Sequence, residues 1–468
     1  MTEKSLFTDK RITVFGLGLN MGGVGTVVYL AEHGAREIIV TDIKGREELE
    51  PSLQKLVRYK NITYVLGQHR PEDFTRVDMV VKNPVIPWTN EYIKLAQAHH
   101  VPVEMDSSLF FQLCKAPIIG VTGSKGKTTT ASLIVHLLKQ ARRPVVSAGI
   151  SQTGVLGVLS KITPESFVVF ELSSWRLSAL RQLKKSPYIA VLTNIYPDHL
   201  NYYKSMSAYM ADKAEIFLHQ KKNGICIANF DNEAVREMIQ DAPGILLPFS
   251  TRQPIDGDGA WLSDETLFLS HQGKEQVLLP LSDIPIRGNH NAGNILAASL
   301  AALATGLTLK EIRSGIMSFT GVPHRLERVV MKNDVTYYND TAATIPDAAV
   351  ASLRSFREPI ILIAGGSDKN LDFTSLAREI LTRPKAVVYF KGEGTNKLFQ
   401  AIQSIAPGYT ETHRPLVVDN MSDAVREATR LAGSGDIVLL SPGAASFGLF
   451  KNEFDRGEQF RAAVAMLV

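Results

Sequence analysis

The chain has 468 residues, 45% hydrophobic and 21% charged, with a net charge of +4. That length suggests about three domains, and so mild and dispersed a charge argues against the concentrated basic face of a nucleic-acid binder. No apolar run nears the ~20 residues of a bilayer span, and two distant cysteines, Cys114 and Cys226, suggest ordinary core thiols in a reducing cytoplasm rather than a disulfide framework.

The predicted elements form three blocks. The first opens with a strand at Arg11–Phe15 that ends in Gly16-Leu17-Gly18, followed by a helical stretch from Val24 to Leu30. A second strand, Ile38–Thr41, carries Asp42 at its end, and a third, Met79–Val81, runs into Asn83-Pro84. This is the βαβ rhythm of a parallel sheet. The glycine pair alone would also suit a dinucleotide-binding oxidoreductase, but that reading ignores the other two blocks. The second block has strands at Ile118–Val121, Phe167–Phe170, Ile189–Leu192 and Ile225–Ala228. Its helices run from Thr129 to Gln140 and from Asn291 to Gly306, with loop and hairpin material near Asp256–Gly259. The third block has strands at Pro359–Ile363, Ala386–Phe390 and Asp436–Leu440. The expected architecture is α/β in three domains, 1–105, 106–321 and 322–468.

Between the strand at Ile118 and the helix at Thr129 lies Gly123-Ser124-Lys125-Gly126-Lys127-Thr128. Glycines let backbone N–H groups fold around a phosphate, and the helix N-terminus adds positive potential. Lys127 can reach the outer phosphates of a nucleotide, and Thr128 can ligate Mg²⁺. Val121 stands where the longer P-loop string has its first glycine, so this is the shorter form.

Glu171 follows the strand Phe167–Phe170, where an acid projects into the ligand crevice of an α/β sheet. Mg²⁺ prefers such hard oxygen donors. His199, in Tyr196-Pro197-Asp198-His199, suits either a second metal ligand or a polar anchor. Asn291 and Asn294 share one face of a helix start, as a purine-binding pair or as helix caps. Lys213, Arg325 and Asp340 read by themselves as solvated charges.

Taken in order, these segments resemble the Mur ligases, ATP-dependent amino-acid-adding enzymes of peptidoglycan synthesis. The resemblance rests on Gly123–Thr128, Glu171-Leu172-Ser173-Ser174, Asn194 with Asp198-His199, and Gly288 with His290-Asn291 and Asn294. It extends through Pro323-His324-Arg325, Asn339-Asp340, Gly365–Lys369 and Ser441–Phe447. Within the family it is greatest to members that add D-glutamate to UDP-N-acetylmuramoyl-L-alanine through an acyl phosphate.

The resemblance implies a Rossmann-like UDP-binding domain, a P-loop ATPase-like domain and a C-terminal Rossmann-like domain. It implies ATP and Mg²⁺ as cofactors, with Gly123, Ser124, Lys125, Gly126, Lys127, Thr128, Thr129, Asn291, Asn294, Arg325 and Asp340 on the nucleotide. Lys127, Glu171, His199 and Lys213 would be catalytic, and Thr128, Glu171, His199 and Lys213 would serve the metal. Lys213 would be carbamylated, which turns a cation into a carboxylate-like ligand. Leu19, Asn20, Asp42, Asn83 and Ser173 would lie along the UDP substrate. Thr344, Lys369, Ser446 and Phe447 would hold the glutamate. A cytoplasmic monomer with small-molecule substrates, without nucleic acid or membrane insertion, is expected. The chain departs from the family pattern at Arg176, usually glutamine, at Ala342, usually lysine, and at Glu453, usually aromatic. Ligation of L-glutamate or another amino acid, and a nucleotide-regulated binding protein without ligase activity, are the competing functions.

Overall fold

A computed structural model describes residues 6–19, 21–150, 154–198, 200–286, 288, 290–409 and 415–467. The chain packs as two compact units, one of residues 1–283 with 292–317, the other of residues 284–291 with 318–468.

The first unit holds two sheets. In the smaller, β1 (Arg11–Phe15), β2 (Glu37–Asp42), β3 (Ile62–Leu66), β4 (Met79–Lys82) and β5 (Val103–Met105) lie in the order β3-β2-β1-β4-β5, all parallel. Helix α1 (Met21–Glu32) follows β1, and α2 (Asp106–Leu113) follows β5 directly. The larger sheet contains β6 (Ile118–Thr122), β7 (Val145–Ala148), β8 (Phe167–Glu171), β9 (Ile189–Leu192), β10 (Ile225–Asn229) and β11 (Ile245–Ser250). It is extended by β12 (Gly259–Ser263), β13 (Thr266–His271) and β14 (Lys274–Pro280). The order is β14-β13-β12-β11-β10-β9-β6-β8-β7, antiparallel only at the β12–β13 and β13–β14 pairs. Every residue of β6 and β9 is buried, as expected of parallel strands covered on both faces. The helices used below are α3 (Lys127–Gln140), α4 (Ser174–Ser178), α5 (Met206–Ala214) and α6 (His290–Ala304).

The second unit is built on β15 (Glu327–Lys332), β16 (Val335–Asn339), β17 (Ile360–Gly365), β18 (Ala386–Phe390), β19 (Leu416–Val418) and β20 (Ile437–Leu440). Their order is β15-β16-β20-β17-β18-β19, with only the β15–β16 pair antiparallel. Helix α7 (Glu453–Ala465) closes the chain.

Several strands were not expected from sequence: β3, β5, β7, β11, β15, β16 and β19. Most are edge or near-edge strands with partly exposed residues, such as β3 and β15, so they lack the unbroken apolar runs of β6 or β17. Among the described residues no helix is long and apolar enough to cross a membrane.

Candidate active site

β6 lies between β9 and β8, so the turn that follows it opens into the crevice at the carboxyl ends of the strands. Gly123 has φ +150° and Gly126 φ +85°. A Cβ on Gly123 would lie 1.9 Å from Thr193 Oγ1, so the close approach of the segment after β9 excludes any side chain there. That segment straps the turn. Ser124 N donates to Asn194 O and Lys125 N to Asn194 Oδ1, both at 2.8 Å, while Thr193 Oγ1 donates to Lys125 O at 2.6 Å. The Ser124 hydroxyl faces inward, bonded to Tyr196 O and paired with the Tyr209 hydroxyl, each at 3.0 Å. Lys125 is exposed, and Thr129 is half-buried in the first turn of α3.

Lys127 Nζ donates to Gly123 O at 2.8 Å and Ser124 O at 3.0 Å. Lys213 Nζ, on α5, donates to the same Gly123 O at 3.0 Å and to Thr122 Oγ1 at 3.2 Å. Two lysine side chains thus meet at one carbonyl. Lys213 is only 1% exposed, so it is not the solvated charge its helix suggested. Burial first, then Lys127, pushes its pKa well below the usual lysine range, with Asp198 and Asp212 pulling the other way. Desolvation thus favours the neutral amine over the ammonium. Next to Lys127 in the chain, Thr128 Oγ1 donates to Glu171 Oε1 at 3.1 Å.

Asn294 Oδ1 accepts from Thr130 Oγ1 at 3.2 Å and lies against Gly126, where a Cβ would approach it to 2.3 Å. Asn291 is buried in the first turn of α6, its N–H donated to Gly288 O. His199 and Asn20 lie outside the described residues.

At the ends of β1 and β2, Asp42 accepts from Gly18 N at 2.9 Å and Lys44 N at 3.0 Å. Asn83 Nδ2 donates to Gly16 O at 3.1 Å, and Leu19 is exposed. Ser173 caps α4 by accepting from Arg176 N at 3.3 Å. Arg176 Nη2 in turn donates to Asp106 Oδ2 at 2.9 Å, pinning α4 to the start of α2. Sequence reading gave Asp106 no role. Lys82 went unremarked too; its ammonium is buried over the Trp88 ring, and desolvation takes its pKa down to about 7.

In the second unit, three neighbouring parallel strands deliver the residues expected at the amino-acid end. Thr344 follows β16, Lys369 follows β17, and Ser446 and Phe447 follow β20. Lys369 Nζ sits 5.7 Å from the Phe447 ring centroid, Ser446 is buried, and Ser367 Oγ donates to Phe447 O. Arg325 is exposed, whereas Asp340, read as a surface charge, is buried. Its oxygens accept from Leu326 N at 3.1 Å, Ser441 Oγ at 2.9 Å and Ser352 Oγ at 2.5 Å. Burial outweighs these bonds and raises its pKa to about 6.

Comparison with known proteins gives this geometry a family. Residues 10–104 match the MurD-like N-terminal domain, 121–302 the Mur ligase middle domain, and 324–443 the Mur ligase glutamate ligase domain. The chain is 43% identical to the UDP-N-acetylmuramoylalanine--D-glutamate ligase of Roseiflexus sp. (strain RS-1), over 97% of this chain and 98% of that protein. It is 36% identical to the protein of that name from Borreliella afzelii (strain PKo), over 97% of each. In fold it resembles the UDP-N-acetylmuramate-alanine ligase MurC of Thermotoga maritima, with TM-score 0.61 at 18% identity over 97% of this chain and 99% of that one. It also resembles the MurF ligase of Thermotoga maritima in complex with ADP, with TM-score 0.56 at 18% identity over 99% of this chain and 96% of that one. With all three domain types matched in order along most of its length, the chain belongs to the Mur ligase family.

Proposed function

We propose that this Mur ligase joins D-glutamate to UDP-N-acetylmuramoyl-L-alanine at the expense of ATP, releasing ADP and phosphate, in peptidoglycan precursor synthesis. The observation that carries the ligase reading is the cluster at the loop after β6, where Lys127, Lys213, Thr128 and Glu171 converge. The relatives' shared name supports D-glutamate as the amino acid.

A carboxylate is a poor electrophile, so ATP must first convert it to an acyl phosphate. The backbone of Gly123–Thr128 grips the phosphates, and Lys127 turns from its loop carbonyls to offset charge on the transferring phosphoryl group. Thr128 and Glu171 present adjacent hard oxygens, a donor set that fits Mg²⁺, and they would hold it, with His199 and a carbamylated Lys213 as further ligands. When bound, the ion would neutralise phosphate oxygens. The depressed pKa of Lys213 favours carbamylation, because only a neutral amine adds CO₂. Asn291, Asn294, Arg325 and Asp340 are assigned to the nucleotide. Leu19, Asn20, Asp42, Asn83 and Ser173 are assigned to the UDP substrate. Thr344, Lys369, Ser446 and Phe447 present glutamate, whose amine attacks the acyl carbon as phosphate leaves. Domains bounded near 105 and 321 would close to supply proximity. The reading places the enzyme in the cytoplasm as a monomer.

Incubation of purified protein with UDP-N-acetylmuramoyl-L-alanine, Mg²⁺, ATP and a panel of amino acids tests this. Phosphate release is expected with D-glutamate. Release with L-glutamate alone would overturn the stereochemistry, and no release with any amino acid would favour a nucleotide-regulated binding protein.

A further inference from the structure

Arg456 is the largest fully buried side chain of the molecule's described residues. It lies on α7 in line with Phe460 and Val464, at the i, i+4, i+8 spacing of a core stripe. Its Nε donates to Thr341 Oγ1 at 2.9 Å, Nη2 to Thr341 O at 3.0 Å and Nη1 to Ala444 O at 3.2 Å. Among the described residues no carboxylate forms an ion pair with it, and Glu453 acts on it only at a distance. A buried cation without a paired anion is costly to desolvate.

The guanidinium bridges two turns. One leads from β16 through Thr341 to Thr344, the other from β20 through Ala444 to Ser446. The second turn is joined to the turn after β17, where Ser367 N donates to Ala445 O at 3.0 Å and Ala445 N to Ser367 O at 3.1 Å. Arg456 is thereby connected, directly or through Ala445, to all three turns that carry Thr344, Ser446 and Lys369. Gly457 permits the close approach, since a Cβ there would lie 2.3 Å from His324 Nδ1 and 2.6 Å from Thr341 Cγ2.

We propose that Arg456 is a positioning residue for the amino-acid substrate: its planar fork locks the Thr341 and Ala444 turns in register, and its charge favours an anionic substrate beside them. This rests on the reading above that these turns hold glutamate. Lysine would keep the charge but cannot span three acceptors in one plane.

Steady-state kinetics of wild type, Arg456→Lys and Thr341→Val, with D-glutamate and ATP varied separately, test the proposal. The KM for D-glutamate is expected to rise about tenfold in Arg456→Lys and about threefold in Thr341→Val, with the KM for ATP within about twofold of wild type. Should Arg456→Lys not fold, Thr341→Val, which removes the acceptor of Arg456 Nε together with the hydroxyl's own bond to Glu453 O, still decides. An unchanged glutamate KM, or a parallel rise in both KM values, overturns the positioning role. A wild type inactive with D-glutamate fails the functional reading itself, and this inference falls with it.

Discussion

The loop after β6, proposed to grip phosphates, and the turns proposed to hold glutamate both lie at the carboxyl ends of parallel strands, yet they are built differently. The loop from Gly123 to Thr128 is one short string, with its conformation set by two glycines and one strap from Thr193 and Asn194. The amino-acid end is spread over turns after β16, β17 and β20, more than 100 residues apart at the extremes and joined through Ala445 and Arg456. A local loop can be recognised from its spacing. A site assembled from distant turns depends on what packs beneath it.

The contrast can be broken most sharply at Lys127. Lys127→Ala should lower phosphate release by about 10³-fold or more while leaving the melting temperature near that of wild type, because the residue acts on developing charge. Full turnover in that variant would remove the loop from the chemistry. A smaller effect is expected at the other end. Lys369→Ala should raise the KM for glutamate by about tenfold and leave the KM for ATP unchanged, the signature of a substrate-holding cation on one side only. If the ATP KM rises as much, the two regions are not separable.

A separate effect is expected on stability and its pH dependence. Asp340 has its pKa raised to about 6 by burial. The folded state therefore holds a proton that the unfolded state has released between about pH 4 and 6. Stability from this group is present below that window and is lost as pH rises through it. Urea unfolding of wild type and Asp340→Asn across pH 3.5–7.5 should show the variant gaining about 3 kcal/mol relative to wild type over that range. A constant difference would show that the Asp340 carboxyl has the same pKa in the folded and the unfolded chain.

Much of the fold was legible because parallel strands buried on both faces read as continuous apolar runs, as in Ile118–Val121 and Ile360–Ile363. The loop after β6 was legible because strand, glycines, lysine and helix are adjacent in the chain. Edge strands such as β3 and β15 were not, since their half-exposed residues lack that signature. The site was half legible. The place of Glu171 after an apolar strand puts it beside Thr128, as its spacing suggests, whereas the burial of Arg456 had its signal in an arginine on the apolar stripe of α7.

What the chain's order alone determined, then, is the three-block α/β plan, the glycine turn between β6 and α3 and the residues that mark the family. Only the tertiary structure decided that Lys213 shares a carbonyl with Lys127, that Asp340 is buried among serines, and that Arg456 bridges the turns at Thr341 and Ala444. The reason is physical. A backbone turn is governed by neighbours in sequence, whereas desolvation and the state of an ionisable group depend on segments that meet only when the chain folds.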